Sequence, residues 1–252
     1  MEHVRAFVAY AKQVLNKKGY YPPRGDYKTT VALALYSKCI TVAEATLLLV
    51  DADFGDEAFG MTRTLLDIFF TLRYITNQDT DNRARMFWRF LAKDIEGWGI
   101  AIKQFWPHNV QHARSIPAHV LSAAATYKSP HRWSGRPIVD MALEPDTVEI
   151  DPATGRPLVY DFAYRVIYRW TSHYVHPTIA ALENHIVQAG RDVFAVRTGN
   201  LKDMRPLATY NVGCYVAHTM VYFYRCMGDP QPARLGTWGN ALVKHLTYRH
   251  LR

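Results

Sequence analysis

Between residues 27 and 50 the chain runs for more than six helical turns without a proline or glycine, and from Val42 onward it is apolar on nearly every side. A segment of that length with helix-forming alanine and leucine reads as a helix. A helix with no polar face must be surrounded by other elements, so it belongs at the centre of a bundle. The rest of the chain keeps the same period. An amphipathic segment at 2–17 is closed by Gly19 and the Pro22-Pro23 pair. After a turn at Asp53-Phe54-Gly55, Asp56 and Glu57 stand in the first turn of a helix that should reach Thr76, where acids complement the exposed amides. Further helices are expected at 80–105, more weakly at 117–127, then at 177–189, 207–227 and 232–251. In the 80–105 helix, Met86, Phe87, Phe90, Leu91, Ile95 and Trp98 form the inward face, with Arg83, Arg85, Arg89 and Lys93 outside.

These elements predict an all-α bundle forming one domain over residues 1–252. Two departures are expected: a proline-rich excursion or lid at about 129–158, and a short β-hairpin near 192–202, where Val193, Ala195 and Arg197 alternate with Phe194 and Val196. The three cysteines are far apart and form no CxxC pair, which fits a reducing cytoplasm and argues against a disulfide framework. The charged amino terminus leads to no segment read as a signal or membrane span, so a soluble protein is expected. The net charge of +8 favours an anionic partner such as nucleic acid.

Chemistry concentrates in Tyr168-Arg169-Trp170-Thr171-Ser172-His173-Tyr174-Val175-His176-Pro177. Arg165, Arg169, Ser172, His173 and His176 recur at separations of four, three, one and three residues, which on a regular helix makes one polar stripe. Pro177 disfavours helical geometry at its predecessor, so His176 is expected where the helix breaks. A second polar pair, Arg63 and Asp67, shares a face of an otherwise apolar helix. Charges in such surroundings need partners, and the economical arrangement brings Arg63 and Asp67 against Ser172, His173 and His176.

The run Gly55-Asp56-Glu57-Ala58-Phe59-Gly60-Met61-Thr62-Arg63-Thr64-Leu65-Leu66-Asp67, Tyr74-Ile75 and the later Ser172-His173-Tyr174-Val175-His176-Pro177 resemble the helical bacterial family called domain of unknown function 5677. That family has a glycine, a Glu-Ala pair, an Arg-x-x-x-Glu helix and a Ser-x-x-x-His-Pro element; here Asp67 stands where glutamate is usual. The resemblance spans about residues 30–186 and implies a helical fold without a known activity. Arg169 followed by His176 is also similar to the Arg-x(4-6)-His signature of HEPN-domain ribonucleases of toxin-antitoxin, phage-defence and CRISPR systems, although Trp170 replaces the polar residue usual after the arginine.

This second resemblance implies a HEPN-like architecture, a homodimer, RNA as substrate, an antitoxin or defence-system partner protein, and metal-independent cleavage without a cofactor. His176 or His173 would move the proton, and Arg169 would stabilise charge on phosphate. Arg165 would touch nucleic acid, with Arg63, Asp67 and Ser172 in support. The residues themselves equally admit a non-catalytic interaction protein in which the same cluster only fixes helix packing. A metal site on His173, His176, Glu183 and His185 is disfavoured by the helix break and the lack of a His-Glu-x-x-His element. No phosphate-binding loop, nucleophile elbow or dinucleotide fingerprint is present. The aromatic series Tyr210, Tyr215, Tyr222, Phe223 and Tyr224 reads as core before it reads as a base-stacking surface.

Overall fold

A computed structural model describes residues 1–77, 81–105, 118–128, 132–150, 154–176, 178, 182, 185–190, 193–196 and 203–228. Helices α1 (Glu2–Lys18), α2 (Tyr27–Asp51), α3 (Gly55–Thr76), α4 (Asn82–Phe105), α5 (Ala118–Ala124), α6 (Ile138–Leu143), α7 (Arg169–Val175) and α8 (Arg205–Met227) make an all-α bundle, with a π-helical segment at Ala163–Tyr168 leading into α7. The expected helix at 232–251 and parts of those at 117–127 and 177–189 lie outside the described residues.

Helices α2, α3 and α8 pack on one another at the centre; α1 lies across α2 and α8, and α7 lies on α3. Asp26 caps α2 by accepting from the Thr29 amide at 2.9 Å, and Gly19, at φ 52°, ends α1 in a left-handed turn that a side chain would strain. The core is aromatic. Tyr36 stacks on Phe223 at 4.3 Å and donates to the Ala11 carbonyl at 3.0 Å, while Phe69 sits among Tyr160, Tyr215, His218 and Tyr222. Of the carboxyl-terminal aromatic series, Tyr215, Tyr222, Phe223 and Tyr224 are buried core residues. Helix α2 takes the central place its composition requires, but it is also long and apolar enough to cross a membrane, contrary to the expectation that no such segment exists. Its buried residues pack against α3 and α8.

The excursion is not a free lid where it is described. Arg73 on α3, fully buried, donates to the carbonyls of Met141 at 3.0 Å, Leu158 at 3.2 Å and Glu144, and its Nε lies 3.6 Å from the buried Asp146 carboxylate. Asp146 also accepts from the amides of Val148 and Glu149, from Tyr222 Oη at 2.7 Å and from Arg225. Arg83, expected on the outer face of α4, is buried and forks onto Glu144 at 2.6 and 2.9 Å. Asn77 holds Glu144, Pro145 and Thr147. A segment poor in apolar periodicity is thus fixed by buried charge, which composition alone does not reveal.

The hairpin lies earlier than expected. Ile186–Gly190 pairs antiparallel with Val193–Val196, in the register Ile186 to Val196 and Gln188 to Phe194. Residues 186–189, expected to finish a helix, are therefore extended, in keeping with the β-branched Ile186-Val187 pair and Gly190 at its end.

Candidate functional site

The site lies where α3 meets the π-helical segment and α7. Phe59 on α3 meets the rings of Trp170 and Tyr174 edge-on at 5.1 and 5.2 Å. Beside it, Gly60 allows the closest approach: a Cβ there would stand 3.3 Å from the Tyr174 carbonyl oxygen. This contact brings Arg63, about one turn further along α3, to the end of α7.

Arg63 is the hub. Its Nη2 donates to Tyr168 Oη at 2.8 Å, its Nη1 lies 3.4 Å from His176 Nε2, its Nε lies 3.8 Å from Asp67 Oδ2, and its guanidinium covers the Tyr168 ring at 4.6 Å. Burial raises the Asp67 carboxyl above the usual range, against the opposing pull of Tyr168 and Arg63. Burial, reinforced by the Asp67 charge, pushes the Tyr168 phenol up to about 12. The cluster is open: the side chains of Arg63 and Asp67 are 24% and 44% exposed, and His176 is exposed. Asp67 therefore has apolar neighbours on one flank and water on the other.

His176 ends α7 with extended backbone, φ −111° and ψ 148°, the helix break that Pro177 imposes on its predecessor. Leaving the helix there turns its ring towards Arg63. The rest of the stripe is divided. Arg165 pairs with Asp161 on an exposed face. The π-turn bonds i to i+5 in place of i to i+4, so Arg165 and Arg169 do not continue one straight face into α7. Arg169 and His173 are exposed, and among the described residues no hydrogen bond or ion pair joins Arg169 to His176. Ser172 Oγ donates to the Tyr168 carbonyl at 2.5 Å, serving its own helix and not Arg63 directly.

The structure therefore brings Arg63, Asp67 and His176 together, attaches Ser172 through the Tyr168 backbone, and leaves Arg165, Arg169 and His173 on the surrounding surface. The member that sequence reasoning misses is Tyr168. Its signal is its position four residues before Ser172 in the same polar run, where an aromatic ring reads first as a packing group. Among the described residues, no group of three or more His, Cys, Asp or Glu side chains is placed to hold a metal ion.

An all-α bundle carrying an open arginine, histidine, tyrosine and carboxylate cluster between two of its helices defines the class of this protein. Residues 29–193, well over half of the chain, match the model of a family described as "Family of unknown function (DUF5677)", and the chain belongs to that family. Both halves of the cluster fall within the match. Comparison with curated proteins and with solved structures gives no match.

Proposed function

We propose that this chain is an RNA-directed endoribonuclease that works without a metal, with His176 moving the proton and Arg63 binding the phosphate. The observation that carries this reading is the 3.4 Å approach of Arg63 Nη1 to His176 Nε2 at a solvent-open helix end. An imidazole titrates near neutrality and a guanidinium matches two phosphate oxygens, so together they supply proton transfer and charge stabilisation. The ribose 2'-oxygen would attack phosphorus as His176 takes its proton. The bond to the 5'-oxygen then breaks, that oxygen takes a proton from water, His176 returns its proton to solvent, and a 2',3'-cyclic phosphate remains. Arg63 takes the phosphate-binding role that the sequence pattern gives to Arg169, while Arg169 and His173 stand ready to meet the neighbouring backbone. The net charge of +8 supports a polyanionic substrate.

A second reading, a non-catalytic interaction module, is favoured by the exposed apolar residues on the segment that carries Tyr168 and His176, Phe162, Val166 and Val175. Purified protein incubated with structured and single-stranded RNA decides between them. Under the cleavage reading, His176→Ala and Arg63→Ala each reduce the rate by about a hundredfold or more. EDTA leaves it unchanged, and the products carry cyclic phosphate ends. A wild-type chain inert on both RNAs refutes the enzyme and leaves the interaction module.

A further inference from the structure

Helix α4 carries an apolar pattern that the bundle uses only in part: Leu91 and Trp98, expected on its inward face, are exposed. Trp88, Leu91, Ile95, Trp98, Ile102 and Phe105 are spaced three, four, three, four and three residues apart, the a/d repeat of a coiled-coil seam. Packing within the chain takes the start of this face and the neighbouring ones: Ala84, one step before Trp88 in the same repeat, is buried with Val31 and Ile75. Helix α5 leads into Tyr127, whose hydroxyl donates to the Met86 carbonyl at 2.6 Å and whose ring meets Phe90 at 5.1 Å. Arg83 faces Glu144. Among the described residues the seam is open at Trp88, 49% exposed with an edge contact to Tyr27, Leu91 at 53%, Trp98 at 62% and Phe105 at 73%, and half-buried at Ile95 and Ile102.

The spacing is also a palindrome. Turned end for end about the point between Glu96 and Gly97, the seam falls on itself, with Trp88 opposite Phe105, Leu91 opposite Ile102 and Ile95 opposite Trp98. That self-complementarity is what a twofold interface demands. Small residues, Ala92 and Ala101, flank it, so a second helix can approach closely. Aromatic side chains of roughly 150–250 Å² each put the open seam on the order of 500 Å² per chain. A pair would bury about 1,000 Å², the lower bound for a specific dimer.

We propose that α4 pairs with α4 of a second copy as an antiparallel, twofold coiled-coil interface. It requires nothing of the α3–α7 cluster and stands apart from the cleavage reading. Sedimentation velocity of the full chain over a micromolar range should show a dimer. Trp98→Glu should weaken the dimer by roughly thirtyfold or more, the loss expected for a central aromatic anchor, with circular dichroism unchanged and the melting temperature unchanged when both proteins are diluted to monomer. Leu91→Glu, a second exposed site, should do the same if the first variant folds poorly. The register has its own test. Chains carrying Trp98→Glu and chains carrying Ile95→Lys should each dissociate alone but form a one-to-one heterodimer when mixed, because the new charges face each other and the remaining Ile95 and Trp98 pair. A monomeric wild type, a dimer indifferent to both glutamate variants, failure of the mixed pair to associate, or a dimer dispersed only by Val175→Glu on α7 overturns the proposal.

Discussion

Replacing Asp146 with alanine tests whether buried charge holds the 132–150 segment to the bundle. The carboxylate is fully buried and serves Arg73 at 3.6 Å, Arg225 at 3.2 Å, Tyr222 at 2.7 Å and two backbone amides at 2.9 and 2.8 Å. Its loss strands the Arg73 charge where water does not reach, and breaking a buried pair this way costs about 3–5 kcal/mol. Arg73 keeps its carbonyl acceptors and Arg225 keeps Glu149 at 2.8 Å, which places the expected cost near the lower end, about 3 kcal/mol. For a chain of this size the melting temperature should fall by roughly 6–12 °C. Urea denaturation followed by circular dichroism at the helix band measures the free energy. Asp161→Ala, which removes the exposed Arg165 pair, serves as the control and should cost less than about 0.5 kcal/mol. Adding Arg73→Met to Asp146→Ala should recover part of the loss, since the orphaned charge goes with it. A cost below about 1 kcal/mol for Asp146→Ala alone would show that the pair does not hold this segment.

Three further outcomes rest on the same geometry. Gly60→Ala presses a methyl group against the Tyr174 backbone and should destabilise the chain by about 1–2 kcal/mol while weakening any activity that needs Arg63 beside His176; unchanged melting and turnover together would contradict the close packing. Asp67 has a raised folded-state pKa, so the fold favours its protonated form and stability declines as pH rises through its unfolded value towards the folded one; Asp67→Asn should therefore not lower the melting temperature at pH 7, and a drop of several degrees would mean that the ion pair with Arg63 stabilises the fold. Glu144 and Asp146 behave oppositely. Burial alone would raise both, but Arg83 and Asn77 at Glu144, and the Glu149 amide, Tyr222 and Arg225 at Asp146, hold them below the usual range. Their stabilisation is complete above about pH 4 and is lost as pH falls through the folded values, so melting profiles from pH 6 to acid should steepen there and flatten in Asp146→Asn.

The legibility of each element in the sequence depends on the range of the interactions that make it. Helices α1, α2, α3 and α8 are legible to within a few residues because their periodicity and breakers are local, as Gly19 after α1 illustrates. The meeting of Arg63 with His176 is also legible, because a charge on an apolar helix implies a partner. Tyr168 is not, since nothing local distinguishes a tyrosine that packs from one whose hydroxyl closes a network. Arg73 and Arg83 are likewise concealed: their acceptors lie 68 and 61 residues away in sequence, in a stretch with no periodic signal. The strand at Ile186–Gly190 reads as the end of a helix because a short apolar run carries no decisive period.

The π-turn at Ala163–Tyr168 makes chain length itself a determinant of the site. Deleting one residue there would let the segment close as ordinary α-helix and rotate α7 by about 100° against the turn that leads into it. Tyr160 and Tyr164, anchored against Phe69 and Phe70, would keep their places, so the rotation would fall on Tyr168 and α7. A different side chain would then meet Arg63, with every functional residue still present in the sequence. Among relatives, the number of residues between the positions of Asp161 and Tyr168 should accordingly track the cluster more faithfully than the identity of any residue in between.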